Sequence, residues 1–292
     1  MNGIGFIGAG TVATALAISL SNQGYRTVAV SSITFRSAEK LAASVPGCRA
    51  FPDNQDVADS ADFVFITTPD SAIAPVALSL KWRPGQYVLH CSGADTTALL
   101  EPARNAGAST GVFHPLQTFA AAGQAVRNIP GTTFAIEAPE PLLGVLKDMA
   151  VALDGHWVDI KASDKVAYHA AAVFACNYLV TLVKMATDLW QGFGVSREQA
   201  VTALMPLLRG TLNNIENIGL PRCLTGPIAR GDTGTIEKHL AVLGTQAPGL
   251  LSSYRELGLQ TISIALEKGG INTGTAGRLQ SILKQDERKP GC

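Results

Sequence analysis

The sequence predicts an α/β domain with a mostly parallel sheet, followed by an all-α domain. Two observations carry this. Up to about Ile160, short apolar runs alternate with stretches of helical periodicity, the pattern of βαβ units. Beyond that point the strand patterns stop, and long helical stretches with one Gly/Pro-rich loop remain. The expected domains are 1–162 and 163–292, hinged near 160–164.

The elements follow in order. "GIGFIG" (3–8) reads as a strand and "TVATALAISLSNQG" as the helix after it. "RTVAVSS" (26–32) and "SAEKLAASV" repeat the pair. "DFVFITTP" (62–69), "QYVLHCS" (86–92) and "ASTGVFH" (108–114) are further strands with helical candidates between them. "TTFAIEA" (132–138), "EPLLGVLKDMAVALDG" and "HWVDI" (156–160) complete the α/β part. One long helix is expected from Ser163 to Gly192. Ser196 and Gln199 have the spacing of a capping box, opening a helix to about Asn217. The loop "LPRCLTGPIARGD" (220–232) leads to helices at 234–244, 248–268 and 274–285, and the tail "KQDERKPGC" is expected to fray.

Composition narrows the function classes. Charged residues make up 16% of the 292, against about 25% in ordinary soluble chains. That deficit suits a large buried fraction or an extensive subunit interface. The 23 basic and 23 acidic residues balance, so no basic field points to nucleic acid. The five cysteines, Cys48, Cys91, Cys176, Cys223 and Cys292, include no C-x-x-C pair. Neither a metal cluster nor a disulfide framework is expected, and a reducing cytoplasm is the simplest setting. The chain opens on a strand pattern rather than a charged segment with a cleavable apolar core. The longest apolar stretch, 166–189, contains His169, Asn177, Lys184 and Asp188, and reads as a buried or interface helix rather than a membrane span.

"GFIGAGTVATALA" carries Gly8-x-Gly10-x-x-Ala13 straight after a predicted strand and at the start of a predicted helix. Gly8 permits the tight turn, Gly10 lets backbone approach a pyrophosphate, and Ala13 keeps helix and strand close. With Ala9, Thr11 and Val12, these residues offer phosphates the positive end of a helix. This marks a dinucleotide-binding, Rossmann-type domain. An acid about 20 positions on would bind a ribose 2′-hydroxyl. Here Ser31 and Ser32 stand there, no Asp or Glu occurs from Thr27 to Ala38, and Arg36 is near. Hydroxyls beside an arginine suit a 2′-phosphate, so NADP is favoured and NAD is the weaker fit. Ligands of such sheets lie beyond the carboxyl ends of strands. Thr67, Thr68 and Pro69 should therefore line the cofactor site, with Ser92 and His114 ending strands along the same edge. Ser92-Gly93 reads as a hydrogen-bonding contact to a substrate or to the nicotinamide region, with Ser92 as a strand-end turn residue the equal alternative.

"GFIGAGTVATALA", "HCSGA", "FHPLQTFA", "HAAAVFACNYL" and "LTGPIARGD" together resemble the bacterial Rossmann-like proteins whose C-terminal domain is catalogued as a domain of unknown function. The resemblance covers nearly the whole chain. That family lies in the wider group of 6-phosphogluconate dehydrogenase, β-hydroxyacid dehydrogenases, ketopantoate reductase, prephenate dehydrogenase and pyrroline-5-carboxylate reductase. The resemblance implies an NAD(P)-binding domain, a helical domain that often dimerises, and a substrate cleft between them. A homodimer through the helical domain is therefore expected. β-Hydroxyacid dehydrogenases carry a lysine and an asparagine four residues apart on the first long helix. Here Lys165 is followed four residues later by His169, which departs from that pattern. Prephenate dehydrogenases have a His-Pro pair that "HPLQ" (114–117) resembles.

Hydride transfer to a carbonyl or imine needs a proton donor and a dipole for the charge that develops. The candidates are His114, Lys165, His169 and Asn177. Lys165, His169, Val173 and Asn177 recur at i+4 steps, each turning about 400°, so the row drifts only about 40° per step. One helix face can thus aim the polar members at one cleft. For Lys165 a solvated position near the helix start is an equal reading. His90, His156 and His239 read as structural. Gln117 and Arg230 are substrate-orienting candidates, Arg230 because its fork binds carboxylate or phosphate at two points. Asp232 would neutralise Arg230 or cap the next helix. The expected function is NADP-dependent hydride transfer on a small carboxylate-bearing keto, hydroxy or imino compound. The alternatives are a catalytically silent NADP-binding sensor or partner-binding protein, and a deazaflavin (F420)-dependent reductase.

Overall fold

The computed structural model describes residues 3–284. Eight strands form one sheet: β1 (Ile4–Ile7), β2 (Thr27–Ser31), β3 (Arg49–Phe51), β4 (Phe63–Ile66), β5 (Tyr87–His90), β6 (Ser109–Pro115), β7 (Thr133–Glu137) and β8 (His156–Asp159). Their order is β3-β2-β1-β4-β5-β6-β7-β8. All neighbours are parallel except β6 and β7, which run antiparallel. The sheet is thus mostly parallel, as the strand-helix alternation predicts. Because β1, β4, β5 and β6 pair in parallel, their carboxyl ends share one edge, and the strand order reverses between β1 and β4. In such sheets that edge is where ligands bind.

Helices α1 (Thr11–Asn22), α2 (Phe35–Ala43), α3 (Asn54–Ser60), α4 (Asp70–Ser79), α5 (Glu101–Asn105), α6 (Ala122–Arg127) and α7 (Leu142–Ala152) connect the strands. The two faces of the sheet follow from the period of two along each strand. Phe63 and Phe65 join Phe6, Phe113 and Phe134 in one core, whereas Val64 and Ile66 join the other. Phe6 stacks on Phe65 and Phe113 on Phe134, with ring centroids 5.2 and 4.4 Å apart. The same alternation turns His114 away from the face that Phe113 fills. Strand β3 was not foreseen as a separate run, because its three residues are exposed or half-buried and carry no apolar stretch.

The helix expected over 163–192 is divided. After a 3-10 turn come α8 (Lys165–Ala172), a π-helical turn at Val173–Asn177, and α9 (Tyr178–Gln191). Nor is this stretch buried within the chain. Only Lys165 of α8 and Thr187 of α9 are buried, and Val166, Phe174, Val180 and Leu182 are exposed. The run 162–191 is long and apolar enough to cross a membrane by length and composition alone. Four further helices follow: α10 (Arg197–Ile218), α11 (Thr233–Gln246), α12 (Pro248–Glu267) and α13 (Thr273–Lys284). Ser196 and Gln199 form the expected capping box of α10.

The chain forms two compact units, Met1–Asn177 and Tyr178–Cys292. The division falls inside the long helical run rather than at 162/163. Its physical reason is that Lys165 of α8 bonds to Ser92, just beyond β5, and Tyr168 to His114 of β6, which ties the start of the run to the sheet. In the second unit Ile228, Ile236, Ile262, Ala265 and Leu279 form a separate core. The tail from Gln285 onward, expected to fray, lies outside the described residues.

Candidate active site

The glycine loop sits at the carboxyl end of β1. Gly8 has φ +106°, and a methyl group there would lie 2.8 Å from the carbonyl carbon and oxygen of Thr67. Only glycine fits that backbone. At Gly10 a methyl group would meet nothing within 4 Å, so the surface of the loop is open there. Gly10 is the N-cap of α1 and supplies no side-chain cap, and the first turn, from Thr11 through Val12 and Ala13, holds no acidic residue. The N–H groups at the helix start are therefore available to an anion. Ala13 is fully buried against the sheet.

Thr67 ties β4 to this loop, donating from Oγ1 to the Gly8 carbonyl at 2.8 Å. The neighbouring Thr68 Oγ1 is buried and has no hydrogen-bond partner among the described residues. Pro69 is the N-cap of α4. A cavity of about 500 Å³ opens beside Ala9, Gly10 and Thr11, and Ser37 and Lys40 of α2 line it too. Arg36, Ser37 and Lys40 also share a shallow depression next to it. Ser31 is buried and donates to Asn54 Oδ1 at 2.8 Å, so its hydroxyl is engaged inside the domain. Ser32 is half-buried at the end of β2. The open loop at Gly10, the uncapped helix start and the partnerless Thr68 hydroxyl fit a dinucleotide phosphate.

Ser92, beyond β5, is a buried hub. Its Oγ lies 2.9 Å from carboxylate oxygens of both Asp70 and Asp95, and its one proton serves either. Its N–H donates to His90 Nδ1 at 3.1 Å. His90 must then carry its proton on Nε2, which donates to the Thr96 carbonyl at 3.0 Å. Burial holds the His90 pKa below the usual histidine value, so this ring is a structural clasp. Lys165 is fully buried and donates from Nζ to the Ser92 carbonyl at 3.1 Å. It is not solvated at the helix start. Burial lowers its pKa, and the carboxylates of Glu137, Asp95 and Asp70 oppose the fall.

His114, Tyr168, His169 and Asn177 line a cavity of about 480 Å³, together with Gln117 and Cys176. Two members of the helical row, His169 and Asn177, therefore share one cavity, whereas Lys165 is held beneath by Ser92 and Val173 is not among the lining residues. His114 Nδ1 lies 2.8 Å from Tyr168 Oη. Burial, helped by Lys165, His169 and His90, pulls the His114 pKa down to about 4. Burial pushes the Tyr168 phenol up to about 12. A methyl group on Gly93 would lie 2.6 Å from His169 Nδ1 and 2.9 Å from His114 Nε2. Both nitrogens thus face the same point, and His169 Nδ1 is buried with no partner among the described residues. Gln117 is exposed and folds its amide onto its own loop, donating to the Asn128 carbonyl at 3.2 Å.

Arg230 lies exposed in the second unit, at the end of a 3-10 turn. Asp232 caps α11, accepting from Thr235 N–H at 3.0 Å, which is the capping role expected for it. Tyr168 escaped the sequence reading as a site residue. A tyrosine in an apolar helix reads as core. The available signal was its position next to His169, which places it beside the polar row.

Comparison with known proteins bears on this geometry. Residues 2–115 match a Rossmann-like domain, and residues 132–261 match the domain of unknown function DUF2520. No curated protein matches the chain in sequence. A Bacteroides fragilis structure, described as a candidate NADP oxidoreductase, is 26% identical with a TM-score of 0.73, covering 90% of this chain and 98% of its own. A pyrroline-5-carboxylate reductase from Streptococcus pyogenes superposes with TM-score 0.60 at 17% identity, over 96% of this chain and 98% of its own. A reductive aminase from Aspergillus terreus, in complex with NADPH and ethyl-5-oxohexanoate, gives TM-score 0.61 at 15% identity, over 97% and 92%. At those last two identities the likeness is one of fold.

Proposed function

This chain carries a Rossmann-like N-terminal domain and a DUF2520 C-terminal domain, and from that premise we propose that it is an NADP-dependent oxidoreductase that reduces a small carboxylate-bearing keto or imino compound, or oxidises the corresponding hydroxy compound. One observation carries the reading. The open glycine loop and the point faced by His114 and His169 lie along the same carboxyl edge of the sheet, within one compact unit. NADPH, when bound, supplies a hydride to carbon. The residues of this chain then serve the heteroatom. His114 is neutral near pH 7 and serves as a hydrogen-bond donor to developing charge. A neutral imidazole with so low a pKa is a poor source of the proton itself. His169, whose buried Nδ1 faces the same point, is assigned that delivery. Lys165 holds α8 against Ser92 and adds positive charge near His114.

For the cofactor, Arg36 is assigned to the 2′-phosphate, with Ser37 and Lys40 beside it. A charge-assisted hydrogen bond contributes about 1.5–3 kcal/mol. Arg36→Ala should therefore weaken NADPH binding at least about ten-fold and leave NADH binding nearly unchanged. Fluorescence titration with both nucleotides reads this directly, and equal weakening of both would remove Arg36 from the 2′-phosphate. We also propose that two copies associate through α9 and α10. Val180, Leu182, Leu207 and Leu212 are exposed there. The Lys184–Asp188 ion pair on α9 suits a protein partner better than lipid. The reductase reading is tested with 4-deuterated NADPH against a panel of keto and imino acids. Transfer of deuterium to a panel member supports it. Tight NADPH binding without transfer to any member would favour a sensor.

A further inference from the structure

Resting on the reductase reading, we infer that the substrate atom taken up between His114 and His169 is an oxygen, so that the substrate is a keto or hydroxy compound rather than an imine. Tyr168 and Gly93 act as the positioning residues that impose this choice.

The Tyr168 hydroxyl has one proton, and its hydrogen-bond partner is His114 Nδ1, at 2.8 Å. If Nδ1 carried the ring proton and donated to Oη, the phenol proton would have no protein acceptor among the described residues and would depend on water in the cavity. With Nδ1 bare and accepting from the phenol, both groups are satisfied. The ring proton of neutral His114 then sits on Nε2. The two rings meet edge to face, their centroids 5.6 Å apart at 89°, which fixes the imidazole plane.

Gly93 supplies the gap. Its bare Cα lets His114 Nε2 and His169 Nδ1 converge, with the two ring centroids 6.3 Å apart. A side chain there would drive a carbon into both nitrogens. His169 delivers a proton only from a nitrogen that carries one, and its buried, partnerless nitrogen in this gap is Nδ1. The substrate atom therefore meets two N–H donors at once. A carbonyl oxygen has two lone pairs and accepts both. An imine nitrogen has one lone pair, and an iminium nitrogen has none. Hydride goes to the carbonyl carbon, the C=O π electrons move to oxygen, and His169, entering the step as the imidazolium and leaving it as the neutral imidazole, gives its Nδ1 proton to complete the hydroxyl. His114 Nε2–H holds the other lone pair throughout.

Two measurements on the full chain test this. The first is the side-chain 15N spectrum of the histidines in wild-type and Tyr168→Phe protein, titrated in the presence of NADP with a 2-hydroxy acid and with the 2-amino acid of the same skeleton. The expected result is a His114 tautomer protonated at Nε2 across pH 6–9, which becomes mixed in Tyr168→Phe. The His114 and His169 resonances should move with the hydroxy acid and not with the amino acid. A proton on Nδ1 of His114, or equal responses to both ligands, would overturn the inference. The second is deuterium transfer from 4-deuterated NADPH to a 2-keto acid and to the matching imino acid. Transfer at least a hundred-fold faster to the keto acid is expected. Faster transfer to the imino acid sinks the oxygen assignment and leaves the reductase reading standing. No transfer to either, with the expected spectra, sinks the reductase reading and upholds the oxygen site.

Discussion

His114 is held as a base that the folded protein keeps unprotonated. Its folded pKa of about 4 lies below the unfolded value of about 6.5. Between those values the unfolded chain binds a proton that the folded chain refuses, so stability falls as pH drops through that window and is fully present above it. The full shift is worth on the order of 3 kcal/mol. His114→Gln should therefore unfold in urea with a weaker dependence on pH between about 6.5 and 4 than the wild type. Equal pH dependence in both proteins would mean that burial does not hold the ring neutral. That the two histidines share a cavity was legible because His114 lies at the end of a strand beside a proline and His169 interrupts an apolar helix. The partners that define their roles were not. Tyr168 joins a residue 54 positions away, and Lys165 one 73 positions away, so no local pattern announces either contact. Ser31 looked like a ligand-facing hydroxyl and Ser92 like either a ligand contact or a turn residue; hydrogen bonds inside the domain engage both.

At the level of elements, sequence and structure agree where local chemistry dictates the form. Gly8 is constrained on two counts, a left-handed φ and backbone atoms 2.8 Å from where a side chain would begin. Gly8→Ala should cost about 1–3 kcal/mol and impair NADPH binding as the loop shifts. Retained stability and retained affinity together would contradict the close approach of β1 and β4. The capping box of α10 was legible because Ser196 and Gln199 have the required spacing, and Ser196→Ala should cost about 1 kcal/mol in chemical denaturation. The π turn at Val173–Asn177 was not legible. The i+4 row assumed a regular helix, whereas a π turn shifts everything after it around the axis. Asn177 nevertheless lines the same cavity as His169.

For the whole molecule, the α/β order could be read because turn residues punctuate every apolar run of the first half. The point of division into units could not, since it depends on side chains of α8 bonding back to the sheet. The low charge content finds a physical counterpart in the exposed apolar residues of α9 and α10. Light scattering should return twice the 30.5 kDa chain mass, and the double variant Leu207→Asp, Leu212→Asp should return that of one chain. A monomeric wild type would remove the proposed interface. The central claim is that an NADPH-dependent reduction draws its proton from His169. The most direct measurement is single-turnover transfer of deuterium from 4-deuterated NADPH to a 2-keto acid, in wild-type and His169→Ala protein of equal NADPH affinity. The account predicts transfer by the wild type and a loss of roughly 10²–10⁴-fold in the variant. Equal rates in the two proteins, or no transfer by a wild type that binds NADPH tightly, would contradict it.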